Sequence, residues 1–291
     1  MQSPHDADAT YSGHKGKGYE VQVAETVGNG DAPEVIVGVA VTRSCESDER
    51  ATLPMVDDLA RRGMKPAEVL ADTTYGSTAN AIGCAQRGVE LVSPVGGPAV
   101  APAAEGEIGL GDFRVDAAGK EPTRCPAGQE ARSETRPEGG AEVRAEFPAE
   151  SCAGCVHAEK CPARRQADGS RVLECKLQAA VLAHRRKYEA TEEFRERYAW
   201  RAGIEGTNSE GKRAHGLGRL RVRGLKRVRL AVYFKALACN LKRMVRYLAK
   251  RARAAAGAIS SPSETSGTAS DARGAVLRSF GPPMPRFAYA A

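Results

Sequence analysis

Tyr198-Ala199-Trp200-Arg201-Ala202-Gly203-Ile204-Glu205-Gly206-Thr207-Asn208-Ser209-Glu210-Gly211-Lys212 is the stretch on which the reading of this chain turns. Tyr198, Arg201, Glu205 and Lys212 stand three, four and seven residues apart. At about 3.6 residues per turn, their side chains fall within roughly 60° of one another on a helix. A carboxylate flanked by two cations and a phenol can bind a metal ion while the cations face a phosphate chain. The same spacing also suits a solvated salt-bridge face, because Glu and Arg four residues apart pair routinely on helices. Gly203, Gly206 and Gly211 weigh against a purely solvated helix. Each weakens it by about 1 kcal/mol against Ala, and close approach of the backbone to a ligand or a neighbouring strand would explain them.

Tyr, two residues, Arg, three residues, Glu, six residues, Lys resembles, without a gap, the signature around the last acid of DDE-type insertion-sequence transposases. His215-Gly216-Leu217-Gly218-Arg219 and Arg223-Gly224-Leu225-Lys226-Arg227-Val228 resemble that family's C-terminal block. Ala71-Asp72-Thr73-Thr74-Tyr75-Gly76-Ser77 resembles the strand end carrying its second acid. Ser3-Pro4-His5-Asp6-Ala7-Asp8-Ala9-Thr10-Tyr11, leading to Gly18-Tyr19-Glu20-Val21-Gln22-Val23, is a third match, so the resemblance covers roughly residues 1–250.

The resemblance implies a DNA transposase that cleaves phosphodiesters and transfers strands, a cytoplasmic, nucleoid-associated protein of a mobile element. It implies Asp72 and Glu205 as catalytic ligands of Mg²⁺ or Mn²⁺, hard ions that suit carboxylate oxygens. Tyr198, Arg201, Lys212, Arg213, Arg219, Arg221 and Arg223 would support these acids or bind DNA. Read without the resemblance, Asp72 is a turn-capping residue, since Asp before Thr-Thr can bond its own backbone. The family uses three acids, the first on the first strand, and no residue here corresponds to it. Asp6 and Asp8 match positions taken as non-catalytic. The expectation is a chain that begins after the first acid and lacks the family's N-terminal DNA-binding region, a truncated or frame-split copy inactive on its own. Two other readings stand beside it. One is a catalytically dead DNA-binding remnant, the other a zinc-stabilised nucleic-acid-binding module without enzymatic ancestry.

The elements read as α/β. Alternation over residues 19–26 and the β-branched run from Glu34 to Thr42 predict two antiparallel strands. A helix follows over about 52–62, with Pro54 in its first turn and Gly63 after its end. Val69-Leu70-Ala71 is a short strand ending at Asp72, Ser77 caps a helix running to Arg87, and Val89 to Ser93 is another strand. The resemblance implies that these belong to a ribonuclease H-like mixed sheet with flanking helices, lacking its first strand. Residues 1–95 read as the N-terminal part of that core and 96–176 as a loop-rich, cysteine-bearing insertion with at most a small hairpin. Residues 177–255 read as C-terminal helices, with one motif helix from Thr191 to about Ala214, and 256–291 as a disordered tail.

The net charge of +7 hides an asymmetry. Residues 211–253 hold 15 Lys and Arg and no acid, leaving 28 basic against 36 acidic residues elsewhere. Such a block is a footprint for a polyanion, and DNA fits it better than a membrane surface because the segment adjoins a globular domain. Within it Leu230, Phe234, Leu237, Leu241, Met244, Val245 and Leu248 form one apolar stripe, read as core. Trp200 is read as core too, and a homo-oligomer is open. No run of about 18 apolar residues spans a membrane, and no signal segment precedes the eight cysteines. Clustered thiols then point to metal rather than bridges. Cys125, Cys152, Cys155 and Cys161 could close a tetrahedral zinc site, with His157 as a substitute ligand, or remain free or redox-active thiols. Cys45, Cys84 and Cys239 read as small core residues.

Overall fold

The computed structural model describes residues 5–97, 107–136, 141–259 and 286–290. Two antiparallel strands follow a short first one: β1 (Thr10–Ser12), β2 (Gly16–Val27) and β3 (Ile36–Arg43). Then come α1 (Thr52–Arg61), β4 (Glu68–Leu70), α2 (Thr78–Gln86) and β5 (Glu90–Val92). β2 pairs antiparallel with β3, and β4 pairs parallel with β5, Leu70 opposite Val92. α1 buries Met55, Val56 and Leu59, and these meet Ala24, Val69, Ala71 and Tyr75 in the main core. The Ser77 hydroxyl accepts from the Asn80 N–H at 3.2 Å and caps α2, which Gly88 follows with φ +67°.

The insertion is more ordered than loops and a hairpin. β6 (Ser133–Thr135), β7 (Glu142–Phe147), the single turn α3 (Ala149–Cys152), β8 (Arg164–Arg165) and β9 (Arg171–Lys176) build a four-stranded antiparallel sheet in the order β6-β7-β9-β8. Phe113, Ala145, Phe147, Ala163 and Leu173 form its own small core. Charged residues alternate with apolar ones in β7 and β9, and cross-strand ion pairs such as Arg144–Glu174 cover the outer face.

α4 (Leu177–Glu189) leads to the motif stretch, which is two helices and not one: α5 (Glu192–Ala199) and α6 (Ala202–Arg213). At the joint the N–H groups of Arg201, Gly203 and Ile204 donate to carbonyls three residues back, a tighter 3₁₀ turn. Tyr198 therefore closes one helix while Glu205 opens the next. Of the three glycines only Gly211 is needed for close approach: a Cβ there would stand 2.6 Å from Leu217 Cδ1, whereas Gly206 faces open space.

α7 (Leu225–Ile259) extends past the expected start of the tail and packs on β3 through Val228 and Val232 against Val41. Its first turn is held by the N-terminal acids. Asp6 Oδ2 accepts from Gly224 N–H at 3.1 Å and Asp8 Oδ2 from Leu225 N–H at 2.9 Å. Carboxylates at a helix start meet both the free N–H groups and the dipole. Further on, the Asn240 amide exchanges two 2.8 Å hydrogen bonds with the backbone of Ile36 on β3. The apolar stripe reverses the expectation of core. Leu230, Phe234, Leu237, Leu241, Met244, Val245 and Leu248 are all exposed. They lie roughly 180° around the helix from Val228, Val232 and Cys239, the residues that do pack.

The tail is also corrected. Residues 260–285 and 291 lie outside the described residues, as do Ser3 and Pro4 of the N-terminal match, but Arg286–Ala290 form β10. This strand pairs antiparallel with β2, Ala290 opposite Val23, and parallel with β4, Ala288 opposite Leu70. The order β3-β2-β10-β4-β5 thus places a C-terminal segment in the centre of a mixed sheet. Its Ser-, Gly- and Pro-rich surroundings conceal a run, Arg286-Phe287-Ala288-Tyr289-Ala290, with the aromatic alternation of a strand.

Candidate active site

Asp72 follows β4 by two residues, at the carboxyl end of the parallel strands, where the Ala71 N–H still donates to Val92 at 3.0 Å. Its two carboxylate oxygens have different tasks. Oδ1 accepts from the N–H of Thr74 at 2.9 Å and of Tyr75 at 3.3 Å, so the turn-capping reading is correct for that atom. Oδ2 faces the Arg201 guanidinium at 3.4 Å. Arg185 on α4 clamps the same turn from behind, donating to the Gly76 carbonyl at 2.7 Å and to Ser93 Oγ at 2.6 Å. Burial lowers the Arg185 pKa. Gly76 is obligatory here, because a Cβ would lie 1.9 Å from Ser93 Oγ.

Arg201 gathers the site. Its other terminal nitrogen reaches Glu205 Oε1 at 3.0 Å, one turn along α6. Asp72 and Glu205 therefore meet on the two sides of one guanidinium, which is itself largely buried while Glu205 is mostly exposed. The Arg201 guanidinium also lies 5.9 Å from the centre of the Tyr198 ring, and that ring stacks on Phe194 at 5.4 Å. Burial raises the Tyr198 phenol above its ordinary value, Arg201 opposing. Tyr198 thus packs and orients, through Phe194, Val23, Leu70 and Ile204.

Lys212 lies at the far end of α6, near Glu20 of β2. Burial raises the Glu20 carboxyl, and Lys15 and Lys212 work against that rise. Lys212, Arg213, Arg219, Arg221 and Arg223 are all exposed, and no ion pair is formed by them among the described residues. Trp200 points away from the site and is 55% exposed, against the expectation of a core residue, with its ring edge over Gly28.

Two clusters were not foreseen from the sequence. Arg197 joins α5 to the beginnings of β4 and β5 through Glu68 and Glu90. Glu210, His215 and Cys239 bring three candidate ligand atoms within 4.8 Å. That second cluster is already neutralised: Lys242 pairs with Glu210 at 2.6 Å, Arg243 at 3.6 Å, and the Cys239 thiol donates to it at 3.3 Å. Two adjacent cations oppose a metal ion there, and the group serves as a clasp between α6 and α7.

Four of the insertion's five cysteines, Cys125, Cys152, Cys155 and Cys161, line one small cavity with His157, and Cys175 does not. Cys84 and Cys239 are buried as expected, whereas Cys45 is exposed. No helix among the described residues is long and apolar enough to cross a membrane.

Residues 124–245 match the family model described as a transposase DDE domain. No curated protein and no solved structure matches the chain. The matched span begins beside Cys125, takes in the insertion sheet and contains the whole motif from Tyr198 to Lys212; Asp72 lies before it. Over residues 124–245, less than half of the chain, the similarity is to the DDE domain of transposases.

Proposed function

We propose that this chain is a DNA transposase of an insertion sequence in which Asp72 and Glu205 are two carboxylates of a metal-dependent phosphodiester-cleavage and strand-transfer site on a ribonuclease H-like sheet. The observation that carries this reading is the shared guanidinium: Arg201 stands 3.4 Å from Asp72 and 3.0 Å from Glu205. An acid from a strand end and an acid from a helix, remote in sequence, face one positive centre. Their oxygens are hard ligands that fit Mg²⁺ or Mn²⁺, and Asp72 Oδ2 and Glu205 Oε1, both turned to Arg201, would hold the ion once the guanidinium gives way. A bound divalent ion would activate a hydroxyl and neutralise charge on the phosphate under attack. Asp72 Oδ1 stays committed to the turn and fixes the direction of the carboxylate. Tyr198 holds Arg201 in place, and Lys212 with the arginines that follow takes DNA phosphates.

The pocket is read as incomplete. Only two carboxylates pair with Arg201 among the described residues. The strand between β2 and β4 is β10, whose five residues contain no Asp or Glu. A site short of one shared carboxylate holds two ions poorly, so the chain alone binds DNA without transferring strands. A catalytically dead remnant that still binds DNA is the second reading. A zinc-stabilised module without enzymatic ancestry accounts for neither the family match nor the meeting of Asp72 with Glu205.

The partner that fits the exposed stripe of α7 is a second copy of the chain. Leu230, Phe234, Leu237, Leu241, Met244 and Leu248 repeat at alternate steps of four and three, the spacing of paired long helices. Ala231, Tyr233, Ala238, Val245 and Tyr247 flank that seam, so a second α7 meets no like charge beside it. At roughly 100 Å² for each half-exposed side chain, these six with Tyr233 and Val245 offer on the order of 800 Å², one partner's share of a stable interface.

The deciding experiment incubates the purified full chain, and the Asp72→Asn and Glu205→Gln variants, with duplex DNA bearing the ends of its own element and with Mg²⁺ or Mn²⁺. Expected are DNA retention by all three, Mn²⁺ binding by the parent only, and no strand transfer. Robust cleavage by the parent would refute the incomplete pocket. Mn²⁺ binding unchanged in both variants would remove Asp72 and Glu205 from the metal site and leave the remnant reading.

A further inference from the structure

Two turns and one clamped loop bring four thiols of the insertion to a common cavity, and the reaction proposed above uses none of them. In Cys125-Pro126-Ala127-Gly128 the Gly128 N–H donates to the Cys125 carbonyl at 2.9 Å, and Gly128 has φ +80°. In Cys152-Ala153-Gly154-Cys155 the Cys155 N–H donates to the Cys152 carbonyl at 3.3 Å, and Gly154 has φ +74°. Cys161 is set by Arg171, which donates to the carbonyls of Ala158 at 2.6 Å and Ala163 at 3.0 Å and, more weakly, to that of Cys161 at 3.4 Å. None of the four is in a disulfide.

We propose that Cys125, Cys152, Cys155 and Cys161 form a structural zinc site that holds the insertion together. The donor set is the argument. Four thiolates, two of them from one Cys-x-x-Cys turn, match a closed tetrahedral zinc site and are too soft for the magnesium expected at Asp72 and Glu205. The insertion also needs such a staple. Its strands are two to six residues long and its own core has five buried residues, too few to be stable alone. The sulfurs stand wider than in a closed site, because the group with three candidate ligand atoms within 4.8 Å is the Glu210 cluster and not this one. Binding requires the side chains on the two turns to rotate inward, and each thiol gives up its proton to solvent as the metal binds. The site braces the segment before Phe113, where Asp112 pairs with Lys187 of α4, the helix whose Arg185 clamps the Asp72 turn.

The test uses the full chain purified under reducing conditions without chelator. Elemental analysis should find about one zinc per chain, and cobalt substitution should give the intense thiolate charge-transfer band and visible bands of a tetrahedral sulfur site. Cys152→Ser with Cys155→Ser should lose the metal, while Cys45→Ser, Cys175→Ser and His157→Ala keep it. The metal content and cobalt spectrum of the unaltered chain stand even if a variant misfolds. No metal on the unaltered chain after zinc is supplied, or bridges among the four cysteines in a non-reducing mass measurement, would overturn the proposal. Loss of metal in His157→Ala with retention in Cys161→Ser would overturn this ligand set.

Discussion

Asp72 does two jobs with two oxygens, and a pair of substitutions separates them. Asp72→Asn keeps an acceptor for the Thr74 and Tyr75 N–H groups but removes the charge facing Arg201. Asp72→Ala removes both. The alanine variant should lose about 1 kcal/mol of stability, as helix and turn caps do, and the asparagine variant much less. Both should lose Mn²⁺ binding, followed by electron paramagnetic resonance, while thermal melts report the cap. An alanine variant that melts like its parent would show that the turn does not depend on this residue. At this scale the sequence was informative where chemistry is carried by residue type and spacing: Asp72, Arg201 and Glu205 are brought together. It was silent on the joint at Trp200 and Arg201, because an Arg that ends a turn and an Arg that continues a helix have the same spacing. The exposure of Trp200 is illegible for a related reason, since a large apolar side chain beside a joint points wherever the second helix sends it.

Between elements, α6 and α7 are tied by Glu210, whose carboxyl is held below its ordinary value first by the hydrogen bond from Lys242, against burial. The folded value is depressed, so the stabilisation is complete above about pH 4.5, the ordinary value, and is lost as pH falls through the folded one. Glu210→Gln should therefore flatten the acid limb of stability, with a difference on the order of 1 kcal/mol between neutral and acid urea midpoints. Equal slopes for parent and variant would mean the pair contributes nothing. The stripe of α7 gives a second expectation. Leu237→Lys with Leu241→Lys should convert a dimer to a monomer in light scattering while leaving the circular-dichroism helix content unchanged, because neither residue packs within the chain. A monomeric parent would dispose of the self-pairing. Element existence was legible where one face is buried, as in β2, β3 and α1. Periodicity shows that a face is apolar but not what covers it, which is why the Leu230–Leu248 stripe and the Val228–Val232 face could not be told apart. Nor does a five-residue strand such as β10 stand out, since its partners are some 200 residues or more away in the chain.

The whole molecule sets an acid-rich sheet domain beside a basic block, and its sheet closes only when β10 is in place. Removing residues 286–291 would leave the facing edges of β2 and β4 without their hydrogen-bond partners, so the shortened chain should melt lower and aggregate. DNA binding should survive that cut, because the cations lie elsewhere. Of the 15 in residues 211–253, four are committed inside the fold: Arg229 to the Val41 carbonyl, Lys235 to that of His215, Lys242 to Glu210 and Arg243 to Glu25. Lys212, Arg213, Arg219, Arg221, Arg223, Lys226 and Arg227 are exposed on the end of α6, the connecting loop and the start of α7. If about 4–6 cations reach phosphates, the log–log salt slope of duplex binding should be about −4 to −5, whatever the DNA sequence. Replacing Arg219, Arg221 and Arg223 with Ala should make the slope shallower by up to about 3 units. The melting temperature should hardly move, because exposed charges without partners add little to stability. Fluorescence anisotropy across a salt series measures the slope directly. Affinity that ignores salt, or a triple variant that binds like its parent, would mean that this basic face meets protein instead of DNA.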